Sequence, residues 1–305
     1  MNEAKVTALR SIELGVPDLA RSRKFYVEAW GLEEVRSEGD TAYLRGTGPE
    51  HHVLSLRRSP QPALLGVHLA ADDRGAVDRL HAKAKAFGAD VLSAPAPLPG
   101  GAGGGYGFAL RTPEGLPLHI SSDVARCSSV ISDRSRPAKI THVVLNTARM
   151  DKQMAFFRDL LGFRLSDSTR RMEFLRCGPD HHSVALAHSD GHSLNHVAYE
   201  MQNIDGLMRG CGRLAQRDLK AEWGVGRHGP GNNVFAYFID PSGLVAEYTT
   251  EVDQIDEAEY LPASAEYWEN FPMRPCRWGM AREPSARLRL AMSGKATAGE
   301  AQRAR

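Results

Sequence analysis

The chain is 305 residues long, 42% hydrophobic and 25% charged, with a formal net charge of +1 at pH 7. At roughly 150 residues per domain, that length predicts two domains, each with enough material for its own core. The charge balance gives no footing for nucleic acid, an acidic membrane surface or a polyanionic substrate, and no run approaches the ~20 apolar residues that span a bilayer.

The opening Met1-Asn-Glu-Ala-Lys5 lacks the charged-then-apolar layout of a signal peptide. In the first half, helices are predicted to begin near Pro17-Asp18 and at Asp73, and Pro113-Glu-Gly115 turns the chain into a last strand. The glycine-rich loop from Pro97 to Tyr106 lacks the strand-to-helix setting of a nucleotide-binding motif and reads as a surface loop. Asp123 to Ala138, with four serines and Pro137, reads as the linker between domains.

In the second half a helix is predicted from about Asp151 to Leu161, with Met154, Phe157 and Leu161 on one face and Gly162 as terminator. A later helix runs from about Asp205 to Gln216, capped by Asn203 or Asp205. Pro241-Ser-Gly243 turns into the final strand. From about Arg282 the tail has few apolar residues beyond Leu288, Leu290 and Met292, and its last dozen residues are expected to be disordered. Cys127, Cys177, Cys211 and Cys276 show no paired spacing, which predicts reduced thiols and a cytoplasmic protein.

The chain also repeats itself. Gly48-Pro-Glu-His-His-Val recurs as Gly178-Pro-Asp-His-His-Ser, Phe25-Tyr-Val-Glu as Phe156-Phe-Arg-Asp, and Thr112-Pro-Glu-Gly as Asp240-Pro-Ser-Gly. Self-similarity at one fixed period sets the fold before any local reading does. It predicts an α+β protein of four βαβββ modules paired into two domains, each a curved, cup-like mixed sheet with helices outside. Residues 1–122 form the first domain, 123–138 the linker, 139–281 the second domain and its extension, and 282–305 the tail.

Three second-half strands carry His142, His196 and Glu247 in equivalent places. Alternation puts His142 with Ile140 and Val144, His196 with Leu194 and Ala198, and Glu247 with Val245 and Thr249, all facing inward. A lone inward histidine is an ordinary core residue. A buried carboxylate is not, because it costs several kcal/mol unless paired or bound to metal. Two imidazoles and one carboxylate are the ligand set of a facial-triad iron site, which leaves one face of the ion open. His182 precedes His196, His228 sits in a Gly-Arg-His-Gly-Pro-Gly loop, and Tyr237 lies one hairpin from Glu247. Read singly, His228 is a solvated loop residue and Tyr237 a core aromatic.

Together, His142, His182, His196, His228, Tyr237 and Glu247, with Tyr-Phe-Ile-Asp-Pro-Ser-Gly-Leu-Val-Ala-Glu-Tyr around the last two, resemble the type I extradiol (ring-cleaving) catechol dioxygenases of the vicinal oxygen chelate superfamily. The resemblance covers roughly residues 8 to 280, and Trp268-Glu-Asn-Phe-Pro with Arg277-Trp-Gly-Met280 resembles that family's C-terminal extension. It implies that His142, His196 and Glu247 hold Fe(II), or alternatively Mn(II). It also implies that His182 is the acid-base residue and that His228 and Tyr237 contact the substrate hydroxyls. The implied substrates are O2 and a small aromatic diol: a monocyclic or bicyclic catechol, or a trihydroxylated ring. Meta cleavage would yield a 2-hydroxymuconic semialdehyde-type product. In the first half the ligand positions fall on Ser11, His68 and His119, and His52 keeps the place of His182, so that half is expected to serve as scaffold. Two other readings of the scaffold stay open: a non-redox glyoxalase- or epimerase-like enzyme, and a metal-free binding protein of the bleomycin-resistance type. Exposed sheet edges predict a homo-oligomer.

Overall fold

A computed structural model describes residues 4–129, 131–273 and 275–295. The first half runs β1 (Ala8–Val16), α1 (Leu19–Lys24), β2 (Glu33–Glu38), β3 (Thr41–Arg45) and β4 (Leu54–Arg58). It continues with β5 (Ala63–Ala70), α2 (Arg74–Phe87), β6 (Asp90–Val91), β7 (Ala96–Pro97), β8 (Tyr106–Arg111) and β9 (Pro117–Ser122). The second half repeats the plan as β10 (Lys139–Thr147), α3 (Met150–Ala155), β11 (Arg164–Ser168), β12 (Met172–Arg176) and β13 (Val184–His188). There follow β14 (Ser193–Glu200), α4 (Ile204–Ala215), β15 (Trp223–Arg227), β16 (Val234–Ile239) and β17 (Val245–Thr250), then α5 (Ala265–Asn270) and α6 (Ala286–Met292). No described helix is long and apolar enough to cross a membrane.

The strand order is β2-β3-β4-β1-β5-β9-β8-β6 in one sheet and β11-β12-β13-β10-β14-β17-β16-β15 in the other. Each is a mixed sheet in which two modules join edge to edge, through β1–β5 and β10–β14, and neither closes into a barrel. The helices begin at side-chain caps: Asp18 accepts from the Arg21 N–H and Asp73 from that of Ala76. Of the two candidates for α4, Asn203 is the cap, accepting from the Gly206 N–H at 2.8 Å.

Two expectations are corrected. The helix expected to run unbroken to Leu161 is α-helical only to Ala155 and widens into a π turn over Phe156–Leu160. Over this wider turn the adjacent Phe156 and Phe157 both go into the core. The matching turn, Phe25–Trp30, does the same for Phe25, Tyr26 and Trp30.

The second correction concerns strand faces. Ile140 and Leu194 belong to the core behind the sheet, opposite His142 and His196. Register shifts at Thr141 and Asn195 insert one residue into each strand, and a β-bulge of this kind exchanges faces. Glu247 does share its face with Val245, as alternation requires. The segment after Arg282 contains α6, whose Leu288 is fully buried against the second half. The expected disorder of the final residues falls largely on 296–305, outside the described residues.

The halves meet across their helical faces in one apolar core. Trp30 stacks on Tyr248 with ring centroids 3.8 Å apart and packs edge-on to Tyr199 and Phe238. Arg213 donates to the carbonyls of Ala29 and Trp30, and the Tyr26 hydroxyl donates to Asp240 at 3.0 Å. Ligand-bearing β14 and β17 are thus backed by aromatic side chains of the other half.

Candidate metal centre

His142 on β10, His196 on β14 and Glu247 on β17 project from neighbouring strands into one cup, and their ligating atoms lie within 4.8 Å of one another. Glu247 is fully buried. One of its carboxylate oxygens, Oε2, lies 3.3 Å from His142 Nε2 and 3.2 Å from His196 Nε2. Neighbouring donors around one octahedral ion with bonds near 2.1 Å are about 3 Å apart. The buried His196 Nε2 has no hydrogen-bond partner despite facing that oxygen, as expected of a lone pair aimed at a cation rather than a proton. The donor set therefore fits a divalent metal. Burial would raise the Glu247 pKa, but the facing imidazoles of His142 and His196 outweigh it and hold the carboxylate below its ordinary range.

A hydrogen-bond chain behind His196 fixes its tautomer. His196 Nδ1 lies 2.8 Å from Asn195 Oδ1, an acceptor only, so the ring proton sits on Nδ1 and Nε2 is free to ligate. Asn195 Nδ2 donates to Asn146 Oδ1 at 3.0 Å, and Asn146 Nδ2 donates to Ser193 Oγ and to the Met292 carbonyl at the end of α6. The bulge that inserts Asn195 thus also supplies this contact. Asn233 Nδ2 reaches Glu247 Oε1 at 3.3 Å and Thr249 Oγ1 at 2.7 Å.

The centre opens into a cavity of about 660 Å³ lined by His182, His228, Tyr237, Phe174, Trp223 and Trp268, among others. Burial, then the surrounding imidazoles, pushes the His182 pKa well below its usual value, and burial lowers His228 to about 4. Both rings are therefore neutral at neutral pH. His228 Nε2 lies 2.9 Å from the Tyr237 hydroxyl, and burial together with Glu247 pushes that phenol well above its ordinary range. Trp223 stacks on Tyr237 at 5.0 Å, so the phenol is clamped between hairpin partners. A second cavity of about 510 Å³, lined by Leu64, Glu114, Gln153 and Leu244, contains none of these groups.

Five of the six residues singled out from sequence therefore line one cavity, and the sixth, Glu247, lies buried against His142 and His196. Sequence reasoning missed Asn195, Asn146 and Asn233, and it missed the aromatic wall. Asn195 stood next to a candidate ligand, but the bulge that gives it a role leaves no periodic mark. In the first half, Ser11 Oγ lies 3.4 Å from His52 Nε2, while His68 and His119 stack on each other at 4.5 Å. No carboxylate takes the place of Glu247 there, because that position holds His119.

Over 133 residues the chain is 35% identical to Metapyrocatechase 2 of Cupriavidus necator, a match covering 43% of this chain and 42% of that protein. It is 28% identical over 263 residues to the manganese-dependent 2,3-dihydroxybiphenyl 1,2-dioxygenase of Geobacillus genomosp. 3, covering 78% and 82% of the two chains. The crystal structure of the Mn(II)-bound glyoxalase from Novosphingobium aromaticivorans matches with a TM-score of 0.84 at 39% identity, covering 92% and 93% of the two chains. The family model described as Glyoxalase/Bleomycin resistance protein/Dioxygenase superfamily matches residues 8–120 and 139–248, one match to each half. With the duplicated cup and its buried donors, this places the chain in that superfamily.

Proposed function

We propose that the protein is an extradiol dioxygenase that opens the ring of a catechol beside its hydroxyl pair, using a divalent metal held by His142, His196 and Glu247. The observation that carries the reading is the set of three further polar groups, His182, His228 and Tyr237, lining the same cavity as the donors. A metal-dependent enzyme that only polarises its substrate has no need of all three. When bound, the ion would act as a Lewis acid toward the two catechol oxygens and connect the electron-rich ring to O2. Neutral His182 accepts the proton of a substrate hydroxyl and returns it later, as an acid-base group must. His228 and Tyr237 hydrogen-bond the oxygens on which negative charge develops. Trp223, Phe174 and Trp268 hold the ring and exclude water. Met172, Phe271 and Met273 extend the apolar wall and suit a catechol bearing a second ring or similar apolar substituent.

The donor set serves Fe(II) and Mn(II) alike. We assign Fe(II) by the facial-triad chemistry, with Mn(II) the alternative suggested by the names of the Geobacillus and Novosphingobium proteins. The latter name also favours a second reading, a non-redox glyoxalase-like activity on the same centre. One experiment separates them. Protein loaded anaerobically with Fe(II), then with Mn(II), is given a panel of catechols while oxygen uptake and the visible spectrum are followed. Equal consumption of O2 and catechol with a yellow product is expected, and metal retention without oxygen uptake would transfer the assignment to the non-redox reading.

A further inference from the structure

We infer that Asp167 and His181 are positioning residues for His182, fixing which of its ring nitrogens faces the cavity as a proton acceptor. The inference rests on the acid-base role proposed for His182. The three side chains form one buried line. Asp167 Oδ2 lies 3.1 Å from His181 Nε2, and His181 Nδ1 lies 3.1 Å from His182 Nδ1. All three residues are almost completely buried, with exposures of 2%, 1% and 3%.

A carboxylate can only accept, so His181 must carry its proton on Nε2. A neutral His181 then presents a lone pair at Nδ1, and the group facing it is His182 Nδ1, which must donate. The His182 proton is thereby placed on Nδ1, and Nε2, the nitrogen left toward the cavity, is a lone pair. When a substrate O–H breaks, its electron pair stays on oxygen and the new N–H bond forms at Nε2. The positive charge on His182 is then stabilised through His181 by a carboxylate already in place.

The two carboxylate oxygens have separate duties. Oδ1 accepts from the Tyr260 hydroxyl at 3.1 Å and from the Ala263 N–H at 2.7 Å, anchoring that loop, while Oδ2 serves His181. Gly231 closes over the pair with φ +73, and a Cβ there would come within 3.2 Å of both Nδ1 atoms. The first half supplies an internal contrast. It keeps the histidine pair, with His51 Nδ1 at 3.0 Å from His52 Nδ1, but the duplicated position of Asp167 is Arg36. A cation cannot accept from His51, so the half without the metal set also lacks the anchor.

The test is Asp167→Asn. The Ala263 N–H and Tyr260 hydroxyl pin the amide oxygen at Oδ1, so the amide N–H2 must face His181. His181 Nε2 then becomes an acceptor, its proton moves to Nδ1, and the His182 proton is driven to Nε2. The expected result is a kcat lower by about 10²–10⁴-fold, the range of an acid-base contribution, with KM and bound metal unchanged. In 15N-histidine-labelled, metal-free protein, the His182 resonances should switch from the Nδ1–H to the Nε2–H tautomer. Tyr260→Phe, which removes only a contact on Oδ1, should keep both kcat and tautomer. Should Asp167→Asn fail to fold, His181→Asn breaks the same line and should show the same loss of kcat. Unchanged tautomer and kcat, or a fall in kcat matched by loss of metal, overturns the inference. Absence of oxygen uptake in the unaltered protein would instead sink the dioxygenase reading, while the tautomer measurement would still decide this one.

Discussion

Glu247 is the residue on which the site turns. A fully buried carboxylate facing two imidazoles holds its charge only because those rings, or a cation between them, compensate it. Glu247→Ala is therefore expected to abolish metal retention and turnover together, checked by metal analysis and oxygen uptake on the same sample. Asn195→Ala leaves every ligand in place but frees the His196 ring to change tautomer. It should weaken metal binding about 10- to 100-fold, the usual cost of losing such a partner, measured by competition with a chelator. At this scale the sequence was informative where chemistry is unusual for its setting. An inward glutamate in an apolar strand demands an explanation, whereas an asparagine beside a histidine demands none.

Among the elements, strands and caps were legible and irregularities were not. The repeat placed the second-half ligands on equivalent strands, and Asp18, Asp73 and Asn203 marked helix starts through a local hydrogen bond. The bulges at Thr141 and Asn195 were invisible because a pattern of period two carries no record of where one residue is inserted. The ligands still faced inward, but their expected companions Ile140 and Leu194 did not. The short α6 escaped for another reason: seven residues make no stable helix alone, and its existence depends on packing. Leu288 is its anchor, Arg289 and Met292 line the substrate cavity, and the Met292 carbonyl ends the chain of amides behind His196. Leu288→Ala should release the segment. The expected result is faster amide exchange over residues 286–292, faster metal loss and a higher KM for catechols with a second ring. Unchanged exchange there would show that Leu288 is not what holds α6 in place.

At the scale of the molecule, the duplication explains why the halves share a plan and differ in chemistry. The first half buries His52 and His68 without a carboxylate beside them, and burial lowers both, His52 to about 3. Such histidines bind protons only after unfolding, so stability is intact above the ordinary histidine pKa of 6.5 and is lost as pH falls toward the folded value. The slope approaches about 1.4 kcal/mol per pH unit for each. These two histidines should therefore lower the thermal midpoint as pH falls from 6.5 to 4.5, and His52→Gln should flatten that fall. Trp30 makes the same dependence physical. It belongs to the half without the donor set, yet its indole lies flat on Tyr248, the neighbour of Glu247 in β17. Without the first half, that aromatic surface of β17 would lie open to water directly behind the ligand strand.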